Sequence, residues 1–341
     1  MAKKVKMSDI ADRLQVSTVT VSKALSDRKG VSEEMRSRIK ELAIELGYEQ
    51  PGPSKTMEKE KSYNVGVIVP DKYFDKYESF YWYMYQEIVT KAVQKGCFTM
   101  LEAISRDDEE NLEIPKLLLE DKVDGLILIG RPASGYVEKV RMYTDMPILC
   151  LDFFDETNSC DAVISNGFNG TYLLTNYLFS MGHKEIAYVG TLLYTSSITD
   201  RYFGYAKSML EHGKKVPDEW ILDDRDWESG DVTSYQLRLP RQMPTAFVCN
   251  SDLTASMLIK RLRQEGYRVP EDISVVGFDN YLYPGLCDIG ITSYEVDVKE
   301  MVRKGFHVLL RKLEDPNYRS GIRVVDGNVI FKDSVHKRRI S

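Results

Sequence analysis

Short runs of uninterrupted apolar residues alternate with longer amphipathic stretches through most of this chain, and few folds accept that alternation. Residues 64–70 read NVGVIVP and residues 123–129 read VDGLILI. Runs of this length fit strands buried on both faces of a parallel sheet. Further strands are predicted at 97–103 and 147–151, with helices near 79–95, 108–121 and 134–143. The pattern then restarts, with strands at 185–190, 245–249 and 274–278 and helices near 168–181, 200–212, 252–265 and 297–313. Repeated β-α units build open sheets, and two series of them imply two α/β halves with a cleft between. Ligands of such sheets sit at the carboxyl ends of strands. Asp71, Arg131, Asp152, Phe153, Asn250, Asp252 and Asp279 fall there.

The first 48 residues follow a different pattern. SDIADRLQVSTVTVSKAL, residues 8–25, reads as two short helices joined by a tight turn. Ile10, Ala11 and Leu14 share one face of the first, and Val21, Ala24 and Leu25 one face of the second. Val16 can plug the core between them, and Ser17 can cap the second helix. That leaves Thr18, Val19, Ser22 and Lys23 on the open side. Hydroxyls and cations suit phosphates and base edges, and small apolar groups suit thymine methyls. The pair is therefore a candidate helix-turn-helix; the bland alternative is a small helical bundle without a DNA role. A third helix is predicted from Ser32, with acids Glu33 and Glu34 in its first turn and Gly47 as its stop.

Charge supports the first reading. The net charge is −6, but residues 1–48 hold 10 Lys/Arg against 7 Asp/Glu, leaving 36 against 45 in the remainder. A basic head on an acidic body confines DNA attraction to the head. Residues 49–63, EQPGPSKTMEKEKSY, read as a linker. No apolar run is long enough to span a membrane, and the basic start lacks the apolar core of a signal peptide, so a cytoplasmic protein with no membrane partner is expected. The five cysteines and four histidines are scattered. They predict reduced thiols, no metal site and no cofactor. No phosphate loop, nucleophile elbow or dinucleotide fingerprint is present, so no enzyme is expected.

The chain resembles the LacI/GalR family of bacterial transcription regulators over almost its full length. VKMSDIADRLQVSTVTVSKAL, VSEEMRSRI and LGY match at the head; NVGVIVPD, DGLILIG, MGHKEIAYVG, DRYFGY, NSD and VPEDISVVGFDN follow in order in the body. The resemblance implies an all-α helix-turn-helix headpiece (1–48), a hinge (49–62) and an α/β periplasmic-binding-protein-like effector domain of two doubly wound subdomains (63–341). It further implies a homodimer reading near-palindromic double-stranded operator DNA. A small-molecule effector, a sugar or oligosaccharide, would sit in the cleft. Alternatives are a corepressor-type regulator of a nucleobase or phosphoprotein, and a sugar-binding protein without a DNA role. The ending KRRIS, without a heptad tail, favours a dimer over a tetramer.

Family DNA-reading positions fall on Thr18, Val19 and Lys23, with phosphate contacts from Ser17, Thr20 and Ser22. Met7, Ser8, Val31 and Ser32 complete the headpiece set, unless Val19 packs inside instead. Lys23 replaces a common arginine and cannot make the bidentate fork to guanine. Gln15 replaces the usual turn glycine, a cost of roughly 1 kcal/mol if its φ is positive. In the linker the family's wedging leucine is replaced by Met57 beside Lys55; an apolar Met57 can still wedge, but Gly52 and Pro53 weaken the helix start. In the cleft the resemblance gives effector contacts to Phe80, Arg201, Trp227, Asn250 and Asp279, and the expected set adds Arg131, Asp152, Phe153 and Ser197. The competing roles are a loop cap for Asp279, surface packing for Trp227 and an interdomain ion pair for Arg201. His183 reads as a turn support. The aromatic stretch 71–85 is either a wall over a large ligand or subunit packing.

Overall fold

The computed structural model describes residues 5–26, 29–48, 62–74, 79–155, 157, 159–235, 237–281, 285–319 and 321–338. The chain divides into two units, Met1–Lys61 and Ser62–Ser341.

The first unit holds α1 (Met7–Leu14), α2 (Thr18–Leu25) and α3 (Glu33–Glu45). Ile10, Ala11, Val21, Ala24, Ile39 and Ala43 form its core, with Leu14, Val16 and Leu25 packed against it. The Ser17 hydroxyl accepts from the Thr20 amide at 3.1 Å and so caps α2. Ser32 does the same for α3 through the Met35 amide at 3.3 Å. The turn between α1 and α2 places Gln15 in left-handed backbone, φ 50° and ψ 42°.

The second unit has two six-stranded sheets. Its elements in chain order are β1 (Asn64–Pro70), α4 (Phe80–Gln94), β2 (Phe98–Ile104), α5 (Arg106–Glu110), α6 (Lys116–Leu119), β3 (Gly125–Ile129), α7 (Tyr136–Tyr143), β4 (Ile148–Leu151), β5 (Asp161–Ser165), α8 (Gly167–Ser180), β6 (Ile186–Val189), α9 (Ser196–Glu211), β7 (Ile221–Leu222), β8 (Ala246–Cys249), α10 (Asp252–Gln264), β9 (Ser274–Asp279), β10 (Thr292–Glu295), α11 (Val298–Glu314), β11 (Ile322–Val325) and β12 (Asn328–Ile330). The first sheet runs β11-β5-β4-β3-β1-β2 and the second β12-β10-β9-β8-β6-β7. Every pairing is parallel except β10 with β12. The chain passes between the lobes after β5, after β10 and after β11.

Parallel strands covered on both faces explain the apolar runs. Val65, Val67 and Val69 are buried on one side of β1 under α4 and α11, while Ile68 joins the cluster on the other. In the second lobe α8 and α9 cross closely at Gly204, where a Cβ would lie 2.0 Å from the Phe168 carbonyl. The helix predicted at 108–121 is instead two short ones. Leu112 turns left-handed at φ 54°, and Pro115 starts α6 without an amide to continue the first. Strands β5, β7, β10, β11 and β12 were absent from the sequence pattern because β7 and β12 have only two and three residues and the other three carry polar residues among their apolar ones.

The left-handed Gln15 sets a test. Replacing Gln15 by glycine is expected to stabilise the headpiece by about 1 kcal/mol. Replacing it by valine is expected to destabilise the headpiece more strongly, since a β-branched residue tolerates positive φ worst. Native-state hydrogen exchange of the α1 and α2 amides measures both; identical rates in the three proteins would show an unstrained turn.

Candidate functional site

In the headpiece, α2 buries Val21 and Ala24 and leaves the rest of its first two turns outward. Thr18, Val19 and Lys23 are exposed, Val19 by 60%. An apolar side chain that open is not a core residue. The hydroxyls of Ser17 and Thr20 lie 2.9 Å apart. Ser22 is half-buried, as are Met7, Ser8 and Val31, while Ser32 is exposed at the start of α3. Lys55 and Met57 lie outside the described residues.

In the second unit a cavity of about 380 Å³ opens at the carboxyl ends of the strands. Tyr73, Phe80, Tyr81 and Asp152 supply its wall from the first lobe. Tyr194, Ser197, Arg201, Arg225, Asn250, Asp279 and the segment 229–235 supply it from the second.

The polar floor is built on Asp224, just beyond β7 and fully buried. It accepts from the Thr191 amide at 2.9 Å, the Thr254 hydroxyl at 2.7 Å and the Asn250 amide group at 2.7 Å. Arg225 grips it with two nitrogens, Nε at 3.0 Å and Nη2 at 2.8 Å. Burial alone would raise this carboxyl, but the Arg225 guanidinium and the hydrogen bonds outweigh it and hold Asp224 well below the usual carboxylate range. Asn250 also donates to the Val189 carbonyl at 3.0 Å, which fixes its amide.

Arg201 extends this floor. Its Nη1 donates to the Asn250 carbonyl at 2.6 Å and its Nη2 to Asp279 Oδ1 at 3.4 Å. Its guanidinium carbon stands 3.8 Å from the Phe278 ring centroid, and its Nε is buried without a partner. Opposite, Asp152 accepts from the Tyr81 hydroxyl at 3.2 Å. Burial pushes the Asp152 carboxyl up to about 6; Arg201 opposes the rise and the Asp279 carboxylate adds to it. Burial also raises Asp279 against the pull of Arg201 and Arg225.

The two units match known proteins in the same order. The description "Bacterial regulatory proteins, lacI family" matches residues 6–50, and "Periplasmic binding protein-like domain" matches residues 175–335. The chain carries a LacI-family helix-turn-helix domain followed by a periplasmic-binding-protein-like domain. The HTH-type transcriptional repressor CytR of Escherichia coli (strain K12) is 28% identical over 331 residues, 96% of this chain and 95% of that one. A complex of the transcriptional regulator CelR with cellobiose has the same fold, with TM-score 0.67 at 20% identity over 97% of this chain and 100% of that one. The lac repressor dimer bound to operator and the anti-inducer ONPF also shares it, with TM-score 0.64 at 21% identity over 98% of this chain and 100% of that one.

The structure brings Phe80, Asp152, Ser197, Arg201, Asn250 and Asp279 together around one cavity. Three expected residues stand off it. Phe153 packs in the core with Cys150, Tyr136 and Val140; the chain turns at Asp152, whose backbone is left-handed at φ 68° just beyond β4, so Asp152 lines the cavity and Phe153 does not. Arg131 is displaced by Tyr73, whose ring covers Gly130 and whose hydroxyl donates to the Arg131 carbonyl at 3.0 Å. Trp227 is 59% exposed and meets Tyr194 edge-on at 5.7 Å, behind the wall rather than on it. Asp71 and Asp252 do not line the cavity either. His183 is buried between the Thr245 hydroxyl (3.0 Å) and the His336 carbonyl (3.1 Å), a structural role. The aromatic stretch does two things: Tyr73, Phe80 and Tyr81 face the cavity, while Phe74 and Tyr85 flank Trp82 in a separate cluster. Tyr194 and Arg225 on the wall were not anticipated. Among the described residues no helix is long and apolar enough to cross a membrane, and no group of His, Cys, Asp and Glu is arranged to hold a metal.

The raised Asp152 carboxyl gives a pH dependence with a definite sign. Its folded value of about 6 lies above the ordinary 3.8. The stability it contributes is therefore complete below about pH 4 and lost as pH rises through 6. Asp152→Asn is expected to be more stable than the parent by on the order of 2–3 kcal/mol at pH 7.5, with the gap closing by pH 4. Denaturant titrations across that range check it; a pH-independent gap would refute the assignment.

Proposed function

We propose that this protein is an effector-controlled transcriptional repressor whose effector is an uncharged carbohydrate bound in the cavity. It acts as a homodimer in the cytoplasm, with residues 1–48 as headpiece, 49–62 as hinge and 63–341 as effector and dimerisation domain. Two copies would present two α2 helices to successive major grooves of a near-palindromic operator, one helical turn apart. Thr18, Val19 and Lys23 meet base edges, and Ser17, Thr20 and Ser22 meet phosphates.

The observation that carries the effector reading is the charge state of the wall. Both guanidiniums already have carboxylate partners, Arg225 with Asp224 and Arg201 with Asp279. Lys72 is paired with Glu109. An anionic ligand would meet these paired cations and the carboxylate of Asp152, with the exposed Lys260 as a further cation on the lining. A sugar needs what is present: aromatic faces for its C–H surfaces and fixed donors and acceptors for its hydroxyls. The volume, about 380 Å³, suits a small ligand. CytR is a repressor, and CelR was solved with cellobiose; both agree with this reading.

The test starts by selecting operator DNA from a random duplex pool with the purified full-length protein. Neutral mono- and disaccharides, their phosphate esters and free purines are then titrated against the complex. At least one neutral sugar is expected to change operator affinity 10-fold or more, with the operator changing sugar affinity by the same factor. Arg201→Leu is expected to weaken that sugar about 100-fold while leaving effector-free DNA binding intact. A response confined to purines or phosphate esters would replace the carbohydrate reading.

A further inference from the structure

The end of β9 carries two consecutive residues in left-handed backbone that are not glycine, Asp279 at φ 95° and Asn280 at φ 51°. A Cβ disfavours that conformation, so the turn persists only where its surroundings over-determine it. What holds it is Asp252, the first residue of α10. Asp252 Oδ2 accepts from the Tyr281 amide at 2.9 Å and from the Ser293 hydroxyl at 3.0 Å. Ser293 Oγ in turn accepts from the Asn280 amide at 3.1 Å. Two successive amides of the turn thus end on one carboxylate–hydroxyl pair. The second carboxylate oxygen, Oδ1, is buried without a hydrogen-bond partner against Gly277, where a Cβ would lie 2.0 Å from it. Asp252 itself is buried and does not line the cavity.

The turn serves both lobes. Asp279 points its carboxylate at Arg201. Two residues on, the Tyr281 ring meets Phe80 edge-on at 6.0 Å and stacks over Tyr83 at 6.2 Å, both on α4 of the opposite lobe.

We propose that Asp252 is a positioning residue: through Ser293 and the Tyr281 amide it latches the strained turn that aims Asp279 at Arg201 and seats Tyr281 on the opposite lobe. Its importance rests on the cavity being the effector site, but its test stands or falls without an effector. In effector control, the latch makes the Asp279 carboxylate a fixed element of the wall.

The experiment uses the full-length protein with Asp252→Ala, Asp252→Asn and Ser293→Ala. Hydrogen exchange at the Asn280 and Tyr281 amides is expected to quicken at least 10-fold in Asp252→Ala and Ser293→Ala. The β8 and α10 amides should keep the parent rates. Asp252→Asn retains an oxygen acceptor and should exchange like the parent. The second readout is the pH profile of Asp152, taken as the melting difference between each background and the same background carrying Asp152→Asn. Asp152 faces Tyr73 and Tyr81 from the first lobe and Arg201 and Asp279 from the second. Freeing Asp279 removes a facing carboxylate, so the midpoint should fall by about 0.5 pH unit or more in Asp252→Ala and hold in Asp252→Asn. If Asp252→Ala does not fold, Ser293→Ala carries both readouts. Unchanged exchange at the turn, or faster exchange with an unmoved midpoint, would overturn the proposal.

Discussion

The Asp224 carboxylate, closed off from solvent beside β7, collects hydrogen bonds from Thr191, Thr254, Asn250 and Arg225, and the rest of the cavity floor is arranged around it. A buried ion pair is weak evidence for stability, because desolvating both charges offsets their attraction. Its effect here is geometric. The Asn250 side-chain amide is held by Asp224 and the Val189 carbonyl, and the backbone carbonyl of the same residue is what Arg201 Nη1 holds. Arg201 then reaches Asp279. The chain of contacts runs from one fixed carboxylate to another across the second lobe.

That arrangement also separates two kinds of acid in one small volume. Asp224 accepts six hydrogen bonds and stays ionised. Asp152 has one phenol and a distant guanidinium, so burial dominates and its carboxyl rises. The same side-chain chemistry serves as scaffold in one place and as a responsive wall group in the other, and the difference lies wholly in the neighbours.

Much of this was legible in the sequence, and the reasons for the failures are physical. Strands β1, β3, β4, β6, β8 and β9 showed as apolar runs because both faces are covered. β7, with two residues, and β12, with three, carry no pattern of their own and exist only through their partners. Asp152, Asn250 and Asp279 were readable because open parallel sheets gather ligands at strand ends. Arg225 was not, since Asp223-Asp224-Arg225-Asp226 looks like a solvated loop until the fold buries its middle. Phe153 and Arg131 erred by one step each: the strand end is right, but the left-handed turn at Asp152 and the intrusion of Tyr73 decide which residue faces inward. Trp227 shows that an aromatic near a cavity is not yet an aromatic in it.

The three passages of the chain between lobes have a consequence for how the protein is made. The first sheet lacks its edge strand β11 until residues 322–325 are synthesised, and α11, which covers Leu149 and Leu151 of β4, ends only at Glu314. The headpiece, by contrast, is complete within the first 48 residues. Domains fold as they emerge from the ribosome, amino-terminal first. A nascent chain therefore carries a finished headpiece while the first lobe of its cavity still waits for α11 and β11, residues 298–325.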